Sequence, residues 1–317
     1  ETRFLEDPAP VEMEARAPAN SFRANITIME GCNKHCSFCI VPFTRGRERN
    51  RPAERILEEA RCAVESGYVE ILLLGQTVNA YRNPDSPRYR FARLLSDLAS
   101  IEGLQRLRFT SPHPREFDDE TVAVIGASTV ICNQVHLPLQ SGSDRVLRRM
   151  RRQYTTGKFL ELVEKFKKCG RPVALSTDII VGFPGEDEED FQSTLRLVET
   201  VGFESMFSFK YSPRPRTEAG QWEDDVAEIE KTRRLMMLQR LQKGIQLQLN
   251  QERYLGRVFP VLIEGIARDG TNLFGRTTTN RVVNFSSREE PGSLVRVLIS
   301  AAGPNSLKGE QTTAIGV

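Results

Sequence analysis

Between Asn25 and about Ser212, short apolar runs alternate with amphipathic segments, and no other feature limits the fold of this chain as strongly. Ile26–Met29, Val69–Leu74, Leu104–Thr110, Val130–Leu137, Val173–Val181 and Met206–Tyr211 read as strands. A helix is expected to open at Arg51-Pro52, where proline takes a first-turn position at no hydrogen-bonding cost. Ile56, Leu57, Ala60 and Val64 fall on one face of it, and Gly67 ends it. Phe91–Ser100 and Asp118–Ile125 carry the same signal, helical periodicity then runs up to Lys168, and the acidic segment Glu186–Thr200 follows. Six β-then-α repeats make an α/β fold with a parallel sheet and outer helices, most simply a partial (β/α)6 barrel. Chemistry in such folds gathers on the loops after the strands. The cysteine-rich loop after Met29, Gly75-Gln76, Ser111–His113, Gln140-Ser141 and Gly182 all fall there.

A different texture follows. Val226–Asn250 reads as one long helix, with Met236-Met237 as packing residues on its apolar side. After Gly256 come short β-rich runs, Val258–Ile263, Leu273–Thr277, Val282–Phe285 and Leu294–Ile299, separated by glycines as in a small all-β barrel. From Arg253 onward Arg and Lys outnumber Asp and Glu by eight to five, which suits an RNA-binding module and also an ordinary solvated surface. The organisation expected is a linker over 1–23, an α/β core over 24–222, a connecting helix over 223–252 and a β-barrel over 253–317. The first stretch, rich in Pro, Ala and charge and starting on Glu1, reads as a linker within something longer. A content of 39% hydrophobic and 27% charged residues fits a globular protein, and the longest apolar run, Ile71–Leu74, is far too short for a membrane span. Net charge of +2 is too small to argue for nucleic acid by itself. Six cysteines without a disulfide pattern point to a reducing, cytoplasmic setting.

Three of those cysteines, Cys32, Cys36 and Cys39, sit in Gly31-Cys32-Asn33-Lys34-His35-Cys36-Ser37-Phe38-Cys39. A cubane [4Fe-4S] cluster takes four ligands, so three thiolates leave one iron open to a small molecule. The competing assignment is a structural zinc knuckle, but zinc takes four ligands, commonly in CxxC pairs or with paired histidines. His35 lies inside the loop, and Cys62, Cys132 and Cys169 stand apart and read as buried residues.

With these cysteines and the turn Leu74-Gly75-Gln76-Thr77-Val78-Asn79, the chain resembles the methylthiotransferases of the radical S-adenosylmethionine (SAM) superfamily, and among them the MiaB type that acts on tRNA. The likeness runs from about Arg23 to nearly the end and includes Met29–Lys34, Val41–Gly46, Ser111–Pro114, Val135–Ser143 and Thr177–Glu186. It implies that the C-terminal barrel is a TRAM module holding RNA. Relatives acting on a ribosomal-protein aspartate or on threonylcarbamoyl-adenosine carry other sequences after the second strand; Gly75–Asn79 favours the isopentenyl-adenosine type. Gln153 and Arg216 depart from the family in standing where glycine is expected. The family also has an N-terminal domain whose three further cysteines hold a second [4Fe-4S] cluster. No such set precedes Cys32, so a catalytic fragment is expected.

The resemblance implies insertion of a methylthio group at C2 of adenosine 37 of tRNA, on a base already carrying an N6-isopentenyl group. SAM is implied both as methyl donor and as the source of a carbon radical that takes the C2 hydrogen. Cys32, Cys36 and Cys39 would ligate the cluster. SAM would meet Phe38, Gly75, Gln76, Gln140, Ser141, Asp178, Ile180 and Gly182, although Phe38 equally suits a core aromatic and Asp178 a structural acceptor. RNA contacts are expected from Arg45, Arg47, Arg151 and Arg276, with Asn79 and His113 on the rim near the base. Arg49, Arg51, Arg148, Arg149 and Arg152 belong to the same arginine runs, which also read as solvated faces. A monomer served by an electron donor such as flavodoxin is expected. The alternatives are a methylthiotransferase directed at protein and a non-catalytic RNA-binding protein with structural metal.

Overall fold

The computed structural model describes residues 22–268 and 270–313. Six parallel strands form its core: β1 (Arg23–Thr27), β2 (Glu70–Leu74), β3 (Arg106–Phe109), β4 (Gln134–His136), β5 (Ala174–Val181) and β6 (Ser205–Lys210). β1-β2-β3 and β4-β5-β6 are each ordered by sequence, and a parallel bridge between Leu107 and Ile131 joins the two sheets. The result is an open barrel whose edges are β1 and β6.

Side chains alternate across each strand. On β2 and β3, Ile71, Leu73, Leu107 and Phe109 point outward and are buried under the helices, where Ile56, Phe91, Leu94, Leu95 and Leu98 supply the apolar stripes. The opposite set carries the polar residues Arg23, Glu70, Arg106, Arg108, Gln134, His136, Ser176 and Asp178, interspersed with Leu72, Leu74 and Ile180, and faces the barrel lumen. An outer layer that is apolar and a lumen that gathers the charged and polar groups of the strands identify the lumen as the functional side.

The expected strand over Val130–Leu137 is split. Ile131 bridges β3, whereas β4 pairs only with β5 and spans three residues. The switch is fixed by side-chain bonds: Ser128 Oγ accepts from the Ile131 N–H at 3.2 Å, and Asn133 Nδ2 donates to the Pro172 carbonyl at 2.8 Å. The helical stretch to Lys168 is also two pieces, Asp144–Arg149 and Thr156–Lys167. Arg151 and Gln153 between them have φ of 56° and 59°, which no helix interior tolerates.

The long helix runs Glu228–Tyr254 and leads into five strands: β7 (Val258–Ile266), β8 (Leu273–Arg276), β9 (Val282–Ser286), β10 (Leu294–Ala302) and β11 (Leu307–Gln311). They close in the order β7-β8-β9-β11-β10, with β9 and β11 parallel. The last strand, Leu-Lys-Gly-Glu-Gln, has one apolar residue and gave no strand signal in the sequence. Val261, Ile263, Val283, Phe285, Val297, Ile299 and Leu307 fill this barrel.

The small barrel docks on the lower, N-terminal end of the open one. Arg106 donates to the carbonyls of Arg276 and Pro260 at 2.7 and 3.0 Å, and Arg108 to those of Thr277 and Thr278 at 2.8 and 3.3 Å. Glu70, fully buried, pairs with Arg108 at 3.1 Å and with Arg23, which also reaches Glu264 at 2.8 Å. Arg23 thus already belongs to β1, and most of the expected linker lies outside the described residues. Among the described residues no helix is long and apolar enough to cross a membrane.

Candidate functional site

At the upper end of the lumen, the loops after β1, β2, β3, β4 and strand β5 enclose a cavity of about 200 Å³. Cys32, Cys36 and Cys39 all line it. Gly31, at φ 74°, makes the turn into the cysteine loop, and a Cβ there would overlap the Arg47 carbonyl. The Gly31 N–H donates to Gln76 Oε1 at 2.6 Å, so the loop is tied to the β2 turn. Lys34, paired with Glu116, ties it to the loop after β3.

Each sulfur has its own surroundings. Cys32 Sγ lies 3.2 Å from the Thr77 hydroxyl, which is buried. Cys36 Sγ accepts from Arg152 Nη1 at 3.4 Å. Burial pushes the Cys39 thiol up, a hydrogen bond from the Val41 backbone opposes this, and the neighbouring Cys36 and Cys32 sulfurs add to it. Metal binding needs thiolates and so releases protons from these groups.

Among the described residues no three His, Cys, Asp or Glu side chains meet closely enough to hold a single ion. A cubane gives each thiolate an iron of its own, and three thiols spaced around one cavity suit that arrangement. The other cysteines are elsewhere: Cys132 is buried in the core, Cys169 is half-buried, and Cys62, expected to be buried, is exposed.

Of the residues assigned to SAM by resemblance, Phe38, Gln76, Gln140 and Asp178 line the cavity. Gln140 holds φ at 71° and is fixed by backbone bonds to Asp178 and Ile180 of β5, at 2.8 and 2.9 Å. Gly75 lies behind Gln76, where a Cβ would press on the Met29 side chain. Ser141 is buried, its hydroxyl accepting from the Ser143 N–H at 3.2 Å. Ile180 packs with Phe38 against the Phe183 cluster. The Gly182 N–H donates to Glu186 Oε2 at 3.1 Å, and the Lys231 side chain stands where a Cβ would project.

The residues assigned to RNA divide more sharply. Arg45 and Arg47 are exposed on the segment following the cysteines, and Arg151 is exposed and paired with Glu218 at 2.7 Å. Asn79 is buried, its amide making two bonds with the His113 backbone at 2.8 and 2.9 Å. His113 lines the cavity. Arg276 sits at the junction between the barrels, bonded to Glu264 at 3.1 Å.

Several cavity residues escaped sequence reasoning. Arg152 looked like one more member of a charged run, yet it is buried, donating also to the Pro138 carbonyl at 3.0 Å and to the Tyr154 hydroxyl at 3.1 Å. Burial alone lowers its pKa, but Tyr154 and Cys36 outweigh this and hold the guanidinium charged. Neighbouring Arg149 turns the other way, onto Trp222 at 4.9 Å. His136 Nε2 lies 3.1 Å from Asp178 Oδ2, with Ser176 Oγ 2.9 Å from Nδ1. The only hint of that pair was its place in the strand alternation. A larger cleft, of about 1,250 Å³, lies at the foot of the molecule beside Lys168 and Arg257 and has no cysteine.

The radical SAM superfamily pattern matches residues 26–198, and the TRAM domain pattern matches residues 252–312. The chain is 46% identical over 301 residues to the tRNA-2-methylthio-N(6)-dimethylallyladenosine synthase of Solibacter usitatus, covering 93% of this chain and 67% of that one. It is 44% identical to the enzyme of that name from Koribacter versatilis, covering 94% and 68%.

The chain belongs to the radical SAM methylthiotransferases.

A third relative of the same name, from Carboxydothermus hydrogenoformans, is 47% identical over 88% of this chain and 63% of its own. The chain thus spans about two-thirds of the length of these methylthiotransferases. Among solved structures, the radical SAM methyltransferase TsrM from Kitasatospora setae superimposes with a TM-score of 0.51 at 17% identity, over 62% of this chain and 38% of that one. Coproporphyrinogen III oxidase from Escherichia coli gives 0.50 at 14% identity, over 92% and 71%. At these identities the likeness concerns the fold alone.

Proposed function

We propose that this chain is the catalytic and RNA-holding part of a tRNA methylthiotransferase that modifies C2 of an adenosine bearing an N6-dimethylallyl group, at position 37. The observation that carries this reading is three thiols on one cavity at the upper end of an open barrel, in a chain 44–47% identical to synthases named for that product. A [4Fe-4S] cluster and SAM, when bound, supply the radical chemistry that an unreactive aromatic C–H bond requires.

The chain's own residues prepare the site. Cys32, Cys36 and Cys39 offer three thiolates, Thr77 and Arg152 bond to two of the sulfurs, and Arg152 offsets their negative charge. Gln76, Gln140, Asp178 and Phe38 offer acceptors and an apolar surface to SAM on the same wall. Gly75, Ser141 and Gly182 act from behind as positioning residues, and Ile180, half-buried beside Phe38, adds to the apolar surface. Exposed Arg45 and Arg47 suit phosphate contacts that fix the RNA while the target base leaves its stack. A second cluster, where the transferred sulfur is assembled, belongs to a further domain. Reducing equivalents come from a small donor such as flavodoxin, and the enzyme works as a cytoplasmic monomer.

Anaerobic reconstitution with iron and sulfide tests the reading. About four irons per chain are expected, with dithionite-dependent cleavage of SAM to deoxyadenosine and no methylthiolation by this chain alone. Cys36→Ala should abolish both iron uptake and cleavage. Stoichiometric zinc with no iron after reconstitution would refute the assignment.

A further inference from the structure

A prenylated adenine brought to the cavity needs a surface for its prenyl group. We propose that Phe207 and Phe209 of β6 form the wall on which the apolar N6 substituent packs, an inference that rests on the tRNA reading. Residues of β6 alternate between two environments. Met206 joins the core, Ser208 Oγ accepts from Gln239 at 3.3 Å and Lys210 pairs with Glu228, so the even positions face the long helix. Phe207 and Phe209 therefore face the lumen, in register with Asp178 and Ile180 of β5. They are 60% and 52% exposed.

The two rings adjoin the chemistry. The Phe207 ring meets His136 edge-on at 6.2 Å, and His136 and Asp178 line the cavity of the three thiols. The wall is therefore continuous with that cavity, and β6 is an open edge of the barrel, from which a nucleic acid can enter. Beside the rings lie Ile180 and a polar network in which Ser176, His136, Gln134 and Asp178 bond to one another. Two large apolar rings held in water beside such a network mark a surface that a ligand covers. A branched five-carbon alkyl group has the matching chemistry, being apolar and without hydrogen-bonding atoms. It would gain by leaving water for an aromatic face.

Binding of two synthetic anticodon stem-loop RNAs, with and without the dimethylallyl group on the target adenine, tests this on the reconstituted chain. The parent is expected to prefer the prenylated RNA by on the order of 10–100-fold, as several buried carbons would give. Phe207→Ala and Phe209→Ala should each cut that preference several-fold, and the double variant should bring it near unity. Affinity for the unmodified RNA should hold. Phe207→Leu, still apolar, should keep most of the preference, as should Ile229→Ala, which removes an 82% exposed residue of the long helix. Preference retained in the double variant would overturn the proposal and leave the rings to another occupant, such as a further domain of the longer relatives. Equal weakening for both RNAs would overturn it in favour of general base stacking. A parent that binds both RNAs alike sinks this inference only, whereas one that binds neither sinks the tRNA reading as well.

Discussion

At residue scale, the cavity is held by conformations and charges that cost free energy. Ser111 and Gln140, both on its wall, have positive φ without being glycine. Such residues persist only where surrounding bonds over-determine them, and they concentrate at functional sites. Gln153 and Arg216, where the family pattern calls for glycine, have φ of 59° and 70°, so the expected glycine had a conformational basis. His113 shows the same economy in charge. Its Nδ1 accepts from the Arg115 N–H at 3.2 Å, and burial, then Arg152, Lys34 and Arg115, depress its pKa to about 2. An unfolded histidine protonates near 6.5, so the unfolded state alone takes up this proton as pH falls through that value. Stability present above about pH 6.5 should therefore fall with acidification, by up to about 1.4 kcal/mol per pH unit from this group. Urea unfolding at pH 7 and pH 5 checks it: His113→Gln should flatten the acid-side loss, and an unchanged slope would refute the assignment.

At the scale of elements, the loops after the strands owe their shape to partners distant in sequence. The loop after β5 is gripped by Glu186, which accepts from the Gly182 N–H and pairs with Arg234 of the long helix at 2.9 Å. Both side chains are almost completely buried, at 2% and 6% exposed, and burial raises the Glu186 carboxyl pKa against the pull of Arg234. Removing one member of a buried pair leaves an uncompensated charge at a cost of about 3–5 kcal/mol. Arg234→Met should lose stability of that order in denaturant unfolding, and Glu186→Gln in the same background should recover part of it. Additive losses in the double variant would show that the two groups do not act as a pair. The sequence marked this loop by its Gly182–Glu186 motif but gave no reason to link it with Arg234, which lies on a helix that read as a plain connector.

The whole molecule is organised by the charged floor of the open barrel. Arg23, Glu70 and Arg106 start the strands β1, β2 and β3. Arg106 and Arg108 hold carbonyls of the small barrel, while Glu70 braces Arg108 and Arg23, and Arg23 reaches Glu264. The TRAM module thus docks at the end opposite the thiols, a strand length or roughly 15 Å below them. Arg108→Met should remove one donor each from the Thr277 and Thr278 carbonyls and from the Glu70 carboxylate, costing about 2–4 kcal/mol. Calorimetry should then resolve two transitions, the small barrel melting first. A single undisplaced transition would show that the two barrels are held together by other contacts.

Strand period, helix stripes and the cysteine spacing were local properties, and so the β/α order, the long helix, four strands of the small barrel and the three thiols were legible in the chain itself. The split of the fourth strand, the break after Arg149 and the fifth small-barrel strand were not. The split rests partly on a bond to distant Pro172, and the break on left-handed backbone at Arg151 and Gln153. The last strand rests on pairing with two others rather than on an apolar pattern of its own. The sharpest case is Arg152. In sequence it is one arginine among several, and only the folded chain distinguishes it from Arg151, because a left-handed backbone on either side turns one guanidinium into a buried cavity and leaves the other in water. Sequence determined which elements form and which ligands are present; tertiary structure decided which charges are desolvated, since burial belongs to the packed molecule and to no single stretch of it.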